Sequence, residues 1–315
     1  MILAIDVGGT KLAAGLVTPD GHVLETRVAA TPQDADAERL WKALEELIAP
    51  MPEAEGVGVG CGGPMIWPDG RVSPLNIPGW RDFPLRERLA ASFPGRTVRV
   101  HNDAVCLAAA EHWLGAGRGH ANMLGMVVST GVGGGLVLGG RLVNGGTGNA
   151  GHIGHVVVEP GGPLCGCGGR GCLEAVARGP ALVAWAQEQG WSPGHGPLDG
   201  GPYEEGRAVT GRGLASDALR GDPVARAAMA RAGRALGLAI ASATHLCDLD
   251  VVTVGGGLSQ AGAPLFGPLE EALRAHARMD FARRLRVVPA ALGQSAGLVG
   301  AAALILAGDR YWDAI

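Results

Sequence analysis

One phrase, used twice, most constrains what this chain can fold into. MILAIDVGGTKLAAGLV opens the sequence, and MLGMVVSTGVGGGLVLGG returns at residue 123. Each has an apolar run, then an acid or hydroxyl, a glycine turn and a second apolar run. An apolar run bounded by glycine reads as a buried strand, so each phrase predicts strand–turn–strand. A grammar repeated in both halves predicts two related domains whose glycine turns face each other across a central cleft. The chain has 315 residues, and single cores stop growing near ~250–300 residues, which also favours two domains.

Between the repeats the chain alternates strand and helix. EGVGVG (55–60) and TVRVHN (97–102) read as strands. Residues 36–49 carry Leu40, Trp41, Leu44, Leu47 and Ile48 at helical spacing. Pro19-Asp20-Gly21 is turn chemistry, and the residues beyond it alternate like a strand. Asp103 opens a helix as a favourable N-terminal acid. Further on, a long helix (223–246), the strand LDVVTVGGG, a helix near 264–278, the strand LRVVPA and a last helix follow. Such alternation is an α/β chain. The expected division is a small domain of residues 1–110 with a terminal helix near 304–315, and a large domain of 111–303. GWSPGHGPLDGGPYEEG (190–206) reads as a surface excursion between helices.

Three glycine turns are candidate phosphate cradles, because glycine lets backbone N–H groups approach phosphate oxygens. The first is Asp6-Val7-Gly8-Gly9-Thr10-Lys11. Asp6 could hold Mg²⁺ directly or through water, and Thr10 adds a hydroxyl. The second spans Ser129 to Gly135, with Thr130, Gly131, Gly133 and Gly134 as candidates. The third, Gly255-Gly256-Gly257, follows a strand, where α/β sheets bind ligands. An ordinary Gly-Gly hairpin is the plain alternative for the first turn taken alone. Two other runs, Gly58-x-Gly60-x-x-Gly63 and Gly166-x-Gly168-x-x-Gly171, match dinucleotide spacing. The first is followed by Pro64 rather than a helix, and the second lies inside a cysteine cluster, so neither has the required strand–turn–helix setting.

Three of the six cysteines, Cys165, Cys167 and Cys172, fall within eight residues, ten to seventeen residues after His155. One imidazole and three thiolates complete a closed tetrahedral Zn²⁺ site of the structural kind. Cys61, Cys106 and Cys247 read as buried small hydrophobes. Asn102-Asp103 closes a strand and opens a helix. A carboxylate there can act as general base toward a hydroxyl, and an adjacent amide can bind one. By spacing alone, a plain N-cap accounts for the pair equally well.

A net charge of −4 with 18% charged residues gives no polyanion-binding surface, so no nucleic-acid partner is expected. No apolar run reaches the length of a membrane span, and no targeting segment is apparent. A cytoplasmic protein is expected.

DVGGTK, the GxGGP stretch, SPLNIPGW, HNDA, STGVGGG, GHIGH, CGCGGRGC-LE and VGGGLS occur in this order. Together they resemble the ROK family of bacterial sugar kinases and repressors, and its glucokinases above all, across residues 2–306. The resemblance implies an actin/hexokinase-like (ribonuclease H-like) fold with a zinc loop. It also implies phosphoryl transfer from ATP with Mg²⁺ to the 6-hydroxyl of a hexose, glucose first. Asp103 would be the base. Gly62, Gly63, Asn76, Asn102, His155 and Glu174 would meet the sugar. Gly8 to Lys11, Thr130 to Gly134 and Gly255 to Gly257 would surround ATP and Mg²⁺. A homodimer or homotetramer is implied as well.

One departure bears on substrate. The family usually has Glu-x-Gly-His where this chain has His152-Ile153-Gly154-His155, and that Glu contacts sugar hydroxyls. A carboxylate accepts at both oxygens, whereas a neutral imidazole offers one donor and one acceptor. Another sugar or polyol (N-acetylmannosamine, fructose, a cyclitol) therefore stays open, as does polyphosphate as donor. A sugar-sensing ROK regulator is the rival from another class. With the first glycine turn opening at residue 6, no helix-turn-helix is expected ahead of it.

Overall fold

A computed structural model describes residues 1–51, 54–194 and 209–312 of the chain. Most of the expected 190–206 excursion, from 195 onward, lies outside the described residues. Among the rest, the chain opens with β1 (Ile2–Val7), β2 (Lys11–Val17), β3 (Val23–Ala30) and α1 (Ala37–Ile48). Next come β4 (Gly56–Cys61), β5 (Met65–Ile66), β6 (Arg71–Val72), α2 (Leu85–Ser92), β7 (Thr97–Asn102) and α3 (Asp103–Trp113). The second phrase supplies β8 (Met123–Val128) and β9 (Val132–Leu138), followed by β10 (Arg141–Leu142). Then come α4 (Leu173–Ala177), α5 (Gly179–Glu188), α6 (Gly211–Arg220), α7 (Pro223–Cys247) and β11 (Val251–Gly255). α8 (Ala263–His276), α9 (Asp280–Arg283), β12 (Arg286–Pro289), α10 (Ala296–Leu306) and α11 (Gly308–Tyr311) complete the order.

Two compact units emerge. The first comprises 1–125, 134–151 and 290–315, and the second 126–133 and 152–289. The boundary expected near residue 110 followed the strand–helix cycles. Compactness instead also gives the first unit 111–125, 134–151 and 290–303.

The first unit holds a five-stranded sheet in the order β3-β2-β1-β4-β7. β1 runs antiparallel to β2 and parallel to β4, and β4 runs parallel to β7. β1 buries every residue but Asp6, as a central strand of apolar residues must. β4 alternates Gly and Val and is wholly buried. A Cβ on Gly58 would lie 1.9 Å from the Ala301 carbonyl oxygen, so glycine there lets the backbone of α10 rest on the sheet. α1 is capped by Asp36, which accepts from Arg39 N at 2.8 Å, and it buries the five expected apolar residues. α2 went unread in the sequence because only Leu85 and Leu89 are buried, leaving no apolar stripe.

A second five-stranded sheet runs β10-β9-β8-β11-β12, with β11 parallel to β12. In the second unit, α7 begins with Asp222, which accepts from Ala225 N at 2.7 Å, and Pro223 in its first turn. Gly237 of α7 lets that helix approach α8, since a Cβ there would lie 2.5 Å from Leu269 O. No described helix is long and apolar enough to cross a membrane.

Candidate active site and metal centre

In the first unit the functional candidates gather where parallel strands end. Across β1, β4 and β7, Asp6 pairs with Gly60 and Gly60 with His101, and one step on Cys61 pairs with Asn102. The sheet register therefore brings Asp6 to the same end as Asp103, though 97 positions separate them in sequence. Carboxyl ends of parallel strands are where open α/β sheets bind ligands. Burial, and then the Asp103 carboxylate, push Asp6 up to about 6, with Lys11 pulling the other way. Gly297 of α10 closes over Asp6: a Cβ there would lie 2.7 Å from Asp6 Oδ2.

Gly8, Gly9 and Thr10 make the turn between β1 and β2, and Thr10 and Lys11 are exposed. Gly8 N donates to Lys11 O at 3.0 Å. Thr31 Oγ1 donates to Gly8 O at 2.7 Å, and Gln33 Nε2 to Gly9 O at 3.0 Å. These bonds fix the peptide planes of the turn. Asn76 lies against two of the candidate glycines: a Cβ on Gly9 would stand 2.7 Å from Asn76 Nδ2, and one on Gly62 3.2 Å from Asn76 Oδ1. Gly63 O accepts from Leu75 N at 3.2 Å, which holds the Asn76 segment beside the Gly62-Gly63 turn.

Asn102 is the N-cap of α3, its Oδ1 accepting from Ala104 N at 3.0 Å and Val105 N at 3.4 Å. The plain capping explanation thus holds for Asn102 and leaves Asp103 as the first helical residue. Asp103 Oδ1 accepts from Ala104 N at 2.8 Å.

In the second unit the Ser129–Gly131 turn meets the third glycine run. Gly256 has φ 91° and ψ 171°, a conformation essentially only glycine adopts. A Cβ there would lie 2.4 Å from Val128 O. A Cβ on Gly257 would lie 4.0 Å from Ser129 Oγ, and Gly179 N donates to Ser129 O at 2.8 Å. The N-terminus of α5 thereby joins the two turns, and Gly211, at the start of α6, packs against Gly179.

Val132 organises the rest. Its N–H donates to Glu174 Oε2 at 3.0 Å. Its carbonyl oxygen would stand 2.0 Å from a Cβ on Gly154, so the turn carrying His152 and His155 rests directly on it. The rings of His152 and His155 lie near parallel, 6.2 Å apart at 21°.

The ligand atoms of His155, Cys165, Cys167 and Cys172 all lie within 4.8 Å of one another. Cys165 Sγ is 3.7 Å from His155 Nδ1, and Cys167 Sγ is 3.8 Å from Cys172 Sγ. A tetrahedral ion with Zn–S bonds of ~2.3 Å sets its sulfurs about 3.8 Å apart. Burial, and then its neighbouring sulfurs, push Cys172 up to about 12. A thiolate there needs a cation beside it, which is what a closed thiolate site supplies.

A model of the ROK family matches residues 2–307 of the chain. The chain belongs to the ROK family. The glucokinase of Thermotoga maritima is 36% identical over 96% of this ROK chain and 96% of that protein. An N-acetylmannosamine kinase of Shigella flexneri is 43% identical over 59% of this chain and 64% of that one. The crystal structure of a ROK family glucokinase from Streptomyces griseus, in complex with glucose and AMPPNP, has a TM-score of 0.82 and 35% identity. It covers 96% of this chain and 98% of that one. The ROK fold here is α/β with mixed sheets, consistent with the expected actin/hexokinase-like class.

Of the second glycine run, read across 129–135, Ser129 to Gly131 form a bend and Gly133 and Gly134 lie within β9. Gly135 serves close packing against α3, since a Cβ there would come within 2.8 Å of Val105 Cα. Sequence reasoning missed Gly179 and Gly211. The first carried a readable sign in Pro180, which marks a helix start.

Proposed function

We propose that this ROK chain is an ATP-dependent hexose kinase of the glucokinase type, transferring the γ-phosphoryl group to a sugar 6-hydroxyl. The observation that carries the reading is the pair of carboxylates at the ends of β1 and β7. Asp6, perturbed by Asp103, stands beside a glycine turn, and Asp103 opens a helix. A nucleotide kinase needs one acid for a metal–phosphate complex and another for a hydroxyl proton.

In this reading the 6-hydroxyl oxygen attacks the γ-phosphorus as the bond to the β,γ-bridging oxygen breaks, and Asp103 takes the hydroxyl proton. ADP leaves with the bridging oxygen. Mg²⁺ bound with ATP would supply charge neutralisation for the phosphoryl oxygens. Asp6 would hold it on the protein side, and Gly8–Lys11, Thr130–Gly134 and Gly255–Gly257 would face the phosphates. Positioning and electrostatics do most of the work. In the first unit, Asn76 beside Gly62 and Gly63, and Asn102, are the candidate sugar contacts. In the second they are Glu174, His152 and His155. His155, Cys165, Cys167 and Cys172 would hold a structural Zn²⁺, which would fix the turn that carries both histidines. A homodimer or homotetramer is part of the proposal.

A second reading, a kinase for another sugar or polyol (N-acetylmannosamine, fructose, a cyclitol), is favoured by one observation: His152 stands where the family's sugar-contacting carboxylate is expected. An ADP-release panel of glucose, mannose, fructose and N-acetylmannosamine with ATP, and with polyphosphate read by sugar-phosphate formation, tests both. Asp103→Asn is expected to keep the fold and lose ~10²- to 10⁴-fold in turnover, the usual worth of a positioned base. A mutant with near-normal turnover removes Asp103 from the mechanism. No turnover of any sugar by the wild type ends the kinase reading.

A further inference from the structure

We propose that His101 is a positioning residue that fixes the Asn102-Asp103 junction to the 144–149 loop through a single imidazole of defined tautomer. The proposal rests on the kinase reading above.

His101 is the penultimate residue of β7 and is 1% exposed. Its Nδ1 accepts the N–H of Asn102 at 2.8 Å. An imidazole nitrogen that accepts carries no proton, so in the neutral ring the hydrogen sits on Nε2. Nε2 is 2.9 Å from Asn144 Oδ1 and therefore donates to it. Both ring nitrogens are used, in opposite senses. The ring stands edge-on to Trp312, with centroids 6.3 Å apart at 89°, and Trp312 packs on Trp67. A ring flip would forfeit both hydrogen bonds.

The loop at the far end of this link is fixed in turn. Asn149 Nδ2 donates to Met65 O at 2.9 Å, while its Oδ1 accepts from Met65 N at 3.2 Å. Thr147 O accepts from Trp67 N at 3.2 Å. Met65 and Trp67 lie two and four residues beyond Gly63 of the candidate sugar-binding turn Gly62-Gly63. One ring therefore ties the segment downstream of that turn to the peptide plane entering Asn102. That plane sets the orientation of the Asn102 cap and of Asp103, the first residue of α3. A side chain that only filled the core would need neither bond, and leucine would serve it as well.

The test is a set of variants assayed for kcat, KM and Tm beside the wild type and Asp103→Asn. His101→Leu is expected to lower kcat by ~10- to 10²-fold, the scale of small misplacements of a reacting group, with sugar KM changed less than threefold. His101→Asn keeps an acceptor near the Nδ1 position but does not reach Asn144, and it should recover part of that loss. Asn144→Ala leaves the ring in place and should show a smaller kcat loss. The His101→Leu/Asn144→Ala double variant should be no slower than His101→Leu alone. Additive losses, equal kcat for His101→Asn and His101→Leu, or an Asn144→Ala variant with wild-type kcat would each overturn the proposal. If His101→Leu fails to fold, the Asn144→Ala and His101→Asn rates decide the matter. Wild-type protein that phosphorylates no sugar overturns the kinase reading and this inference together, whereas active wild type with unchanged variants overturns this inference alone.

Discussion

Replacing Asp6 with Asn should stabilise the ligand-free protein at neutral pH while disabling it. Asp6 is raised from 3.8 to about 6 by burial and the Asp103 carboxylate. Well below pH 3.8 the carboxyl is protonated in folded and unfolded chains alike, and it costs nothing. Between pH ~4 and ~6 the unfolded chain ionises while the folded one resists, so stability falls as pH rises. Above about 6 the full penalty is present. A shift of about two units at ~1.4 kcal/mol per unit amounts to ~3 kcal/mol. Asn has the same shape, so the close approach of Gly297 is kept, and it carries no charge at any pH. The expectation for Asp6→Asn is a gap over wild type of less than ~1 kcal/mol at pH 4, growing to ~2–3 kcal/mol above pH 7. At roughly 2–4 °C per kcal/mol for a chain of a few hundred residues, that is a Tm gain of about 4–12 °C. Thermal scans of both proteins from pH 4 to 8, without Mg²⁺ or nucleotide, measure it. Titrating groups that do not interact with Asp6 cancel in the difference. Adding Mg²⁺ and ATP should close the gap by stabilising the wild type alone, and turnover of the variant should be lost. A wild-type-to-mutant gap that stays flat across this range, or a mutant less stable at pH 7.5, would refute the reasoning.

Gly256→Ala should lower Tm and raise the KM for MgATP, because a region costing ~1–3 kcal/mol to enter is combined with a 2.4 Å approach to Val128 O; unchanged Tm and KM would show that the turn can move aside. Freshly prepared protein should carry one zinc per chain by elemental analysis, and Cys167→Ser should weaken that binding and loosen the turn bearing His152 and His155; active protein free of zinc would contradict this. His152→Glu should lower the KM for glucose, since hydrogen bonds to a charged group contribute ~1.5–3 kcal/mol against ~0.5–1.5 for a neutral one; an unchanged KM and an unchanged ranking across the sugar panel would remove His152 from the site.

Much of this protein was legible as local pattern. The buried strands, the helix within 36–49 and the long helix from Pro223 declared themselves through apolar pattern, which depends only on neighbours in sequence. The Cys/His cluster was legible for the same reason, because its ligands fall within a short stretch. Motif order was enough to indicate the family. Distances across the chain were not legible. Asp6 and Asp103 interact because β1, β4 and β7 pair in one register, and no local rule sets that register. Gly133 and Gly134 looked like loop residues, yet they lie in β9, because glycine spacing does not mark where a turn ends and a strand begins. Asn102 could be read as either cap or ligand until the helix start was fixed. His101 carried no signal at all: its two bonds, one to the next peptide and one to Asn144, exist only once the 144–149 loop is held at Met65 and Trp67. Side-chain identity is written in the sequence, whereas which groups share a small volume, and hence their hydrogen bonds and shifted acidities, is decided by tertiary packing.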